Sequence, residues 1–305
     1  MHLRRRFRCR GYNNTFYNID MVIDGKIIAG EIIARLKVLP KPGKFLGAVL
    51  VGDDPASLNF LKQKERVAGE LGVEFRQYRL PIDITTDKLC DEIARLAAVE
   101  QCGGFIVQLP LPKNIDRTNI LNAIPKEKDV DCMSNAALDA FHTEHGIIMP
   151  PSVATVEEIL KREISAARGM ENEGDASAEM NLHALKAVVI GAGFLVGAPV
   201  SSWLQNRVGE LATFDITTEN VHEKLHDADI IITGAGHAHL FGAENLKEGA
   251  IVVDFGFSRN DEGKIVGDFN PMGADEKNIR YTQTPGGTGP VLVAKLLENF
   301  YKLNP

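Results

Sequence analysis

Ser57, Phe60 and Lys64 stand at i, i+3 and i+7, so a helix over this segment would present a hydroxyl, an aromatic ring and an amine on one face. A lysine withdrawn from water gives up its proton more readily and can then serve acid–base chemistry. Taken alone, Lys64 reads first as an ordinary solvated helix lysine. Gln108 is the second unusual position, because it interrupts the apolar run Phe105-Ile106-Val107-Gln108-Leu109. An amide buried at the exit of a strand must find partners, and in open α/β sheets that end of the strand is where ligands bind. The charged stretch Lys128-Asp129-Val130-Asp131 reads on its own as a solvated loop.

A different chemistry is encoded further on. The β-branched run Lys186-Ala187-Val188-Val189-Ile190 leads into Gly191-Ala192-Gly193-Phe194-Leu195-Val196-Gly197, and an apolar helical pattern follows. Glycines allow a tight turn and close approach of a ligand, and the free N–H groups of the next helix suit a phosphate. This is the arrangement of the first βα turn of a dinucleotide fold, with the third glycine one residue late: G-x-G-x-x-x-G rather than G-x-G-x-x-G. Asp215 follows Gly191 by 24 residues at the end of the next apolar run, where a ribose-binding carboxylate belongs, although an aspartate capping a turn would look the same. Thr284-Pro285-Gly286-Gly287-Thr288-Gly289-Pro290 opens another helix and is a second candidate anion or carbonyl site. His237 and His239 read as loop residues, and with no third ligand nearby no metal site is expected.

The elements needed to position these residues can be read from periodicity and breakers. Residues 24–39 have helical spacing and are stopped by Pro40 and Pro42-Gly43; 45–51 is a buried strand closed by Gly52-Asp53-Asp54-Pro55. A helix over about 56–71, a strand over 73–80, a helix over 86–98 and the strand 105–109 complete an α/β alternation, with a further helix near 117–124. Residues 156–161 continue a helical pattern, and 168–181 are polar and glycine-containing, as in a linker. The glycine turn then starts a second α/β unit: helix 196–206, strands 210–215, 229–234 and 249–256, and a last helix over 291–301. The sequence therefore predicts an α/β protein of two domains with a cleft between them.

The bulk composition narrows the class of function. A chain of 305 residues exceeds one ordinary core, and 44% hydrophobic with 25% charged residues is the balance of a water-soluble globular protein. No apolar run is long enough to span a bilayer. A net charge of −7 speaks against a nucleic-acid surface and leaves small molecules as ligands. The scattered Cys9, Cys90, Cys102 and Cys132 read as reduced thiols of a cytoplasmic protein. Residues 1–20 carry Arg4, Arg5, Arg6, Arg8 and Arg10 and no acid before Asp20; we read them as a poorly ordered extension upstream of a natural start near Met21, a targeting peptide being the alternative.

In succession, Val51-Gly52-Asp53-Asp54-Pro55-Ala56-Ser57, Gly104-Phe105-Ile106-Val107-Gln108-Leu109-Pro110-Leu111-Pro112, Lys128-Asp129-Val130-Asp131 and Pro285-Gly286-Gly287-Thr288-Gly289-Pro290 resemble the signature blocks of bifunctional methylenetetrahydrofolate dehydrogenase/methenyltetrahydrofolate cyclohydrolases. The resemblance runs from about residue 23 to 299. It implies a folate-binding catalytic domain over 21–148, rejoined by the C-terminal helix 289–305, and a Rossmann-type NAD(P)-binding domain over 149–288. It implies Lys64, Gln108 and Asp131 as catalytic residues, and Ser57, Phe60, Pro110, Gly287, Gly289 and Pro290 as substrate contacts. It further implies cofactor contacts at Gly191, Ala192, Gly193, Gly197, Asp215, Gly236 and Phe257, NADP or NAD as cofactor, tetrahydrofolate one-carbon derivatives as substrates, and a homodimer.

Several positions depart from the family pattern. Phe60 replaces a tyrosine; Cys132-Met133-Ser134-Asn135 replaces glycine-phenylalanine-histidine-proline; and Pro150-Pro151-Ser152-Val153-Ala154-Thr155 replaces P-C-T-P-x-G. In the nucleotide turn the common G-R-S or G-A-S reads Gly191-Ala192-Gly193, Ala198 stands for the arginine of G-R-P, and Asp215-Ile216 replaces a histidine and a basic or hydroxylated residue. At the C-terminal loop, Thr288-Gly289-Pro290-Val291-Leu292 replaces V-G-P-M-T. Loss of positive and hydroxyl groups beside a new carboxylate disfavours a 2′-phosphate, which leans the cofactor towards a relaxed or NAD preference. The resemblance leaves three readings open: both activities retained, a dehydrogenase with weakened cyclohydrolase, or a non-catalytic folate- or nucleotide-binding descendant.

Overall fold

The computed structural model describes residues 21–167, 180–215, 218 and 221–305. The arginine-rich extension and nearly all of the stretch 168–181 lie outside the described residues. The first half of the chain runs β1 (Val22–Ile23), α1 (Gly25–Lys37), β2 (Phe45–Val51), α2 (Pro55–Glu70), β3 (Phe75–Leu80), α3 (Thr86–Ala98), β4 (Cys102–Val107), α4 (Arg117–Asn122), α5 (Asn135–His142) and α6 (Pro151–Ala167). The second half runs β5 (Lys186–Ile190), α7 (Gly197–Leu204), β6 (Glu210–Phe214), α8 (Val221–Leu225), β7 (Ile230–Thr233), β8 (Phe241–Gly242), β9 (Ile251–Asp254), β10 (Ser258–Arg259), β11 (Ile265–Val266), β12 (Phe269–Asn270), β13 (Arg280–Thr282) and α9 (Thr288–Leu303).

Local signals start the helices that matter. The Asp54 carboxylate accepts from Ser57 N at 2.8 Å and Pro55 occupies the first turn, so α2 begins where the turn signal ends. Asp24, Thr85, Asp116 and Ser134 cap α1, α3, α4 and α5 in the same way.

Two main parallel sheets result, in addition to the two-stranded pairs β10-β11 (antiparallel) and β8-β12 (parallel). The smaller has the order β3-β2-β4, and the larger has the order β1-β13-β9-β7-β5-β6. Alternation sorts the buried side chains by face. From the small sheet, Leu46, Ala48, Leu50 and Ile106 enter one core, while Phe45, Val49, Val51, Phe105 and Val107 enter another. From the large sheet, Val189, Ile230, Ile232 and Val253 join the first of these cores, and Val188, Ile190, Ile231 and Val252 face a third. One apolar core is thus continuous from sheet to sheet, filled in between by α1, α6 and α9, including Ile32, Ile159 and Phe300. The C-terminal helix α9 packs on α1, α2 and α6.

One strand does not follow the sequence order. Val22 and Ile23, which precede the first helix, pair with Tyr281 and Thr282 and so lengthen the large sheet instead of the small one. The pairing covers the edge that β13 would otherwise expose.

The helices that join the sheets are also tied by charge. Glu158 on α6 receives Lys295 Nζ from α9 at 2.8 Å, Arg35 from α1 at 3.2 Å and Arg162 at 3.0 Å. Although burial raises it, these cations, Lys295 foremost, hold the Glu158 carboxyl at about 2, below its ordinary 4.5. A depressed carboxyl stabilises the fold above its unfolded value and loses that contribution as pH falls towards the folded one. Glu158→Gln is therefore expected to cost roughly 3 kcal/mol in denaturant unfolding at pH 7. The difference from wild type should shrink as the pH is lowered below 4.5 towards 2; a pH-independent difference would contradict the ion-pair account.

Candidate active site

Lys64 sits in the third turn of α2, only 4% exposed, so it is not the solvated helix lysine that its helix alone allows. Its Nζ donates to Gln108 Oε1 at 3.2 Å and stands 4.7 Å from the centre of the Phe60 ring. Gln108 follows β4 directly, and its backbone N donates to Val49 O of β2 at 2.8 Å, which fixes where its side chain starts. The Gln108 Nε2 is committed to Leu109 O at 2.7 Å, so the amide oxygen must face the amine.

Asp131 arrives from another direction. Phe105 N donates to Lys128 O at 2.9 Å, and a bridge between Phe105 and Asp129 lays this segment alongside β4. The Asp129 carboxylate accepts from Met133 N and Ser134 N at 2.9 and 2.7 Å, and Asn299 of α9 donates to Val130 O at 3.0 Å. The clamp presents Asp131, 8% exposed, to the cavity that Lys64 lines. Cys132 next to it has φ 54°, a left-handed conformation in which glycine is favoured, and glycine is what the family pattern has there.

Burial displaces both charged groups in the direction that favours their neutral forms. It lowers Lys64 from its ordinary value, with Asp131 opposing the shift, and raises Asp131, with Lys64 opposing. An amine that loses its proton more easily, beside a carboxylate that can accept hydrogen bonds, is a general acid–base arrangement.

The cavity measures about 190 Å³ and has walls from both halves of the chain. Phe60, Lys64, Gln108 and Asp131 form one wall; Phe194, Leu195, Val196 and Pro199 of the glycine turn form the other, with Phe255, Leu292 and Leu296 completing it. A second opening adjoins it, bounded by Pro110, Arg117, Gly193, Phe194 and Gly234. The Arg117 guanidinium of α4 stacks 4.7 Å from the Phe194 ring and so crosses from one half to the other.

The glycine turn fits a dinucleotide. Gly191 has φ 93° and packs on Gly234, and a methyl group at Gly197 would collide with the Gly191 carbonyl. A side chain at Gly193, by contrast, would meet nothing within 4 Å, so the turn is compressed behind and open in front. No side chain caps the first turn of α7, which leaves its N–H groups for an anion. Asp215 stands exposed at the end of β6, its carboxylate accepting from Thr218 Oγ1 at 3.3 Å.

Other positions singled out from sequence lie elsewhere. Ser57 is buried and spends its backbone N–H on the Asp54 cap; it does not line the cavity. Gly287, Gly289 and Pro290 are also absent from both linings, Gly287 being held by close packing against Gly25 and Gln283. Ala192, Gly236 and Phe257 are solvent-exposed and line neither opening. Ser152, which no sequence signal marks as a site residue, lines the cavity while its hydroxyl has no hydrogen-bond partner among the described residues. Among the described residues no three His, Cys, Asp or Glu side chains are grouped to hold a metal, and no helix is long and apolar enough to cross a membrane.

Residues 23–131 match the catalytic domain, and residues 175–304 the NAD(P)-binding domain, of tetrahydrofolate dehydrogenase/cyclohydrolase. The bifunctional protein FolD of Sorangium cellulosum is 34% identical over 286 residues, which cover 91% of this chain and 94% of that one. The bifunctional FolD methylenetetrahydrofolate dehydrogenase/cyclohydrolase of Campylobacter jejuni superposes with a TM-score of 0.82 at 33% identity, covering 93% and 98% of the two chains. The FolD enzyme of Trypanosoma brucei, solved with NADP cofactor and inhibitor, gives 0.78 at 28% identity, covering 92% and 96%. With both of its domains matched in order and an amine, an amide and a carboxylate gathered opposite the glycine turn, the chain belongs to the tetrahydrofolate dehydrogenase/cyclohydrolase family.

Proposed function

We propose that this enzyme oxidises 5,10-methylenetetrahydrofolate to the 5,10-methenyl form with NAD(P)⁺ and hydrolyses that product to 10-formyltetrahydrofolate, with Lys64 as the acid–base group of the shared cleft. The observation that carries the reading is the buried Lys64 Nζ, held at 3.2 Å by Gln108 in a cavity whose opposite wall is the glycine turn. Asp131 accepts hydrogen bonds from the aminopyrimidine edge of the pterin. The Phe60 ring offers a stacking face, without the hydroxyl of the family's tyrosine. As water adds to the bridge carbon, Lys64 takes one of its protons; it returns that proton to the ring nitrogen as the bond between that nitrogen and the bridge carbon breaks, while the formyl carbon–oxygen double bond forms and the remaining hydroxyl proton leaves to solvent. Gln108 keeps the amine aimed through both changes of charge. A dinucleotide held at the glycine turn would supply the hydride acceptor for the oxidation, and the chain's own contribution is alignment of the two ligands across the cleft. Assays of purified protein for reduced dinucleotide and for loss of the methenyl chromophore test the reading; absence of both activities would overturn it.

The preferred cofactor is NAD. Residues 208–221 contain no Lys, Arg or His, and Ala192, Gly193 and Ala198 leave the turn without a cation for a 2′-phosphate, while Asp215 suits a free ribose diol. We expect kcat/KM with NAD to exceed that with NADP by at least about tenfold, and Asp215→Ser to narrow the gap. A preference for NADP in the unaltered enzyme would refute this assignment. The same reading takes residues 21–148 with 289–305 as the folate unit and 149–288 as the dinucleotide unit, in a cytoplasmic homodimer; sedimentation at micromolar concentration tests the dimer.

A further inference from the structure

Two buried carboxylates that the reaction scheme does not use lie beneath the loops at the rim of the large sheet. Asp268, fully buried between β11 and β12, accepts from Thr233 Oγ1 at 2.6 Å and Ala235 N at 2.8 Å through Oδ2, and from His237 N at 2.8 Å through Oδ1. All three donors belong to the end of β7 and the turn that follows it. Gly234 in that turn is the residue on which Gly191 packs, and it lines the opening beside the nucleotide turn. Asp254, 2% exposed, does the same for the next loop, accepting from Gly256 N at 2.6 Å and from Phe269 N at 2.9 Å. Methyl groups at Gly256 and Gly267 would collide with the Asp268 and Asp254 carboxylates respectively, so the two loops interlock around them.

We propose that Asp268 is a positioning residue for the dinucleotide: its carboxylate sets the backbone of residues 234–237, and through the contact of Gly234 with Gly191 it sets the wall against which the cofactor lies. The inference rests on the dinucleotide-binding reading of the glycine turn. Three hydrogen bonds from one carboxylate fix a turn more tightly than the turn's own backbone does, because each is charge-assisted and shielded from water. Two glycines in this turn, Gly234 and Gly236, and the φ of 67° at Gly236 leave it otherwise free to move. Asp268 does not reach the Lys64 wall, so its effect should fall on the cofactor and spare the folate chemistry.

The hydrolysis of the methenyl substrate needs no dinucleotide and supplies the internal control. In the full-length enzyme, Asp268→Asn keeps the shape but cannot satisfy all three donors. The expected result is a rise of about tenfold or more in the dissociation constant of NAD, measured by fluorescence, and in its KM, with methenyl hydrolysis within about twofold of wild type. Thr233→Val removes a single donor and should weaken NAD less, with Thr233→Ser restoring it; this pair decides the question if Asp268→Asn does not fold. An unchanged dissociation constant in the folded variants, or a parallel loss of hydrolysis, overturns the positioning role alone. Failure of the unaltered enzyme to bind NAD or NADP overturns the dinucleotide reading as well.

Discussion

Lys64→Met is expected to lower kcat for methenyl hydrolysis by roughly 10²- to 10⁴-fold, the range supplied by a single well-placed proton-transfer group. Methionine keeps the length and apolar stem of lysine, so the 4%-exposed position stays filled and the fold should survive. What disappears is the amine 3.2 Å from Gln108 Oε1. Dinucleotide affinity should be unchanged, since the glycine turn occupies the opposite wall. The pH profile carries an independent signature: burial lowers Lys64 below its ordinary 10.5, so the limb of the wild-type profile that reports lysine ionisation should lie below that value. The Met variant should lack that limb. Hydrolysis that persists with an unaltered profile would remove Lys64 from the mechanism.

Asp131→Ala is the second large effect expected. Removing a charge-assisted acceptor from a buried recognition site weakens binding by roughly 1.5–3 kcal/mol, or about 10- to 150-fold in KM for the folate substrate. A change in kcat should accompany it, in a specified direction on the pH axis. Asp131 opposes the burial-driven lowering of Lys64, so its loss should carry the lysine limb further towards low pH. Steady-state kinetics across pH test both parts, and Asp131→Asn should keep some of the binding while still shifting the profile. An unchanged KM would mean that the pterin is recognised elsewhere.

Much of the architecture was legible because it is written locally. The strand 45–51 and the helix 86–98 have their observed ends, each set by apolar periodicity meeting a turn or cap signal. The helix α5 escaped notice because it is eight residues long and buries only Ala137, too little to leave a pattern. The two-residue strand β1 carries no periodicity at all, and its place in the large sheet follows from an edge formed more than 250 residues later.

The site was legible in its parts. That Ser57, Phe60 and Lys64 share a helix face follows from spacing, but that Lys64 is buried and meets Gln108 follows from tertiary packing, since 44 residues separate the pair and no local pattern links them. Asp268 was invisible because its partners, two backbone amides and the Thr233 hydroxyl, lie more than 30 residues away. Glycine content misled in one respect, since it does not distinguish a loop open to a ligand from close helix packing. Gly193 is open in front, whereas Gly287 is pressed against Gly25.

The most direct test is a crystal structure of the enzyme with a non-reactive folate analogue and NAD bound together. The account predicts the pterin edge on Asp131, its ring system against Phe60, the one-carbon bridge position within reach of Lys64 Nζ, and the nicotinamide facing that bridge from the side of Gly193. A pterin seated away from Lys64 and Asp131, or a dinucleotide lying off the glycine turn, would contradict it.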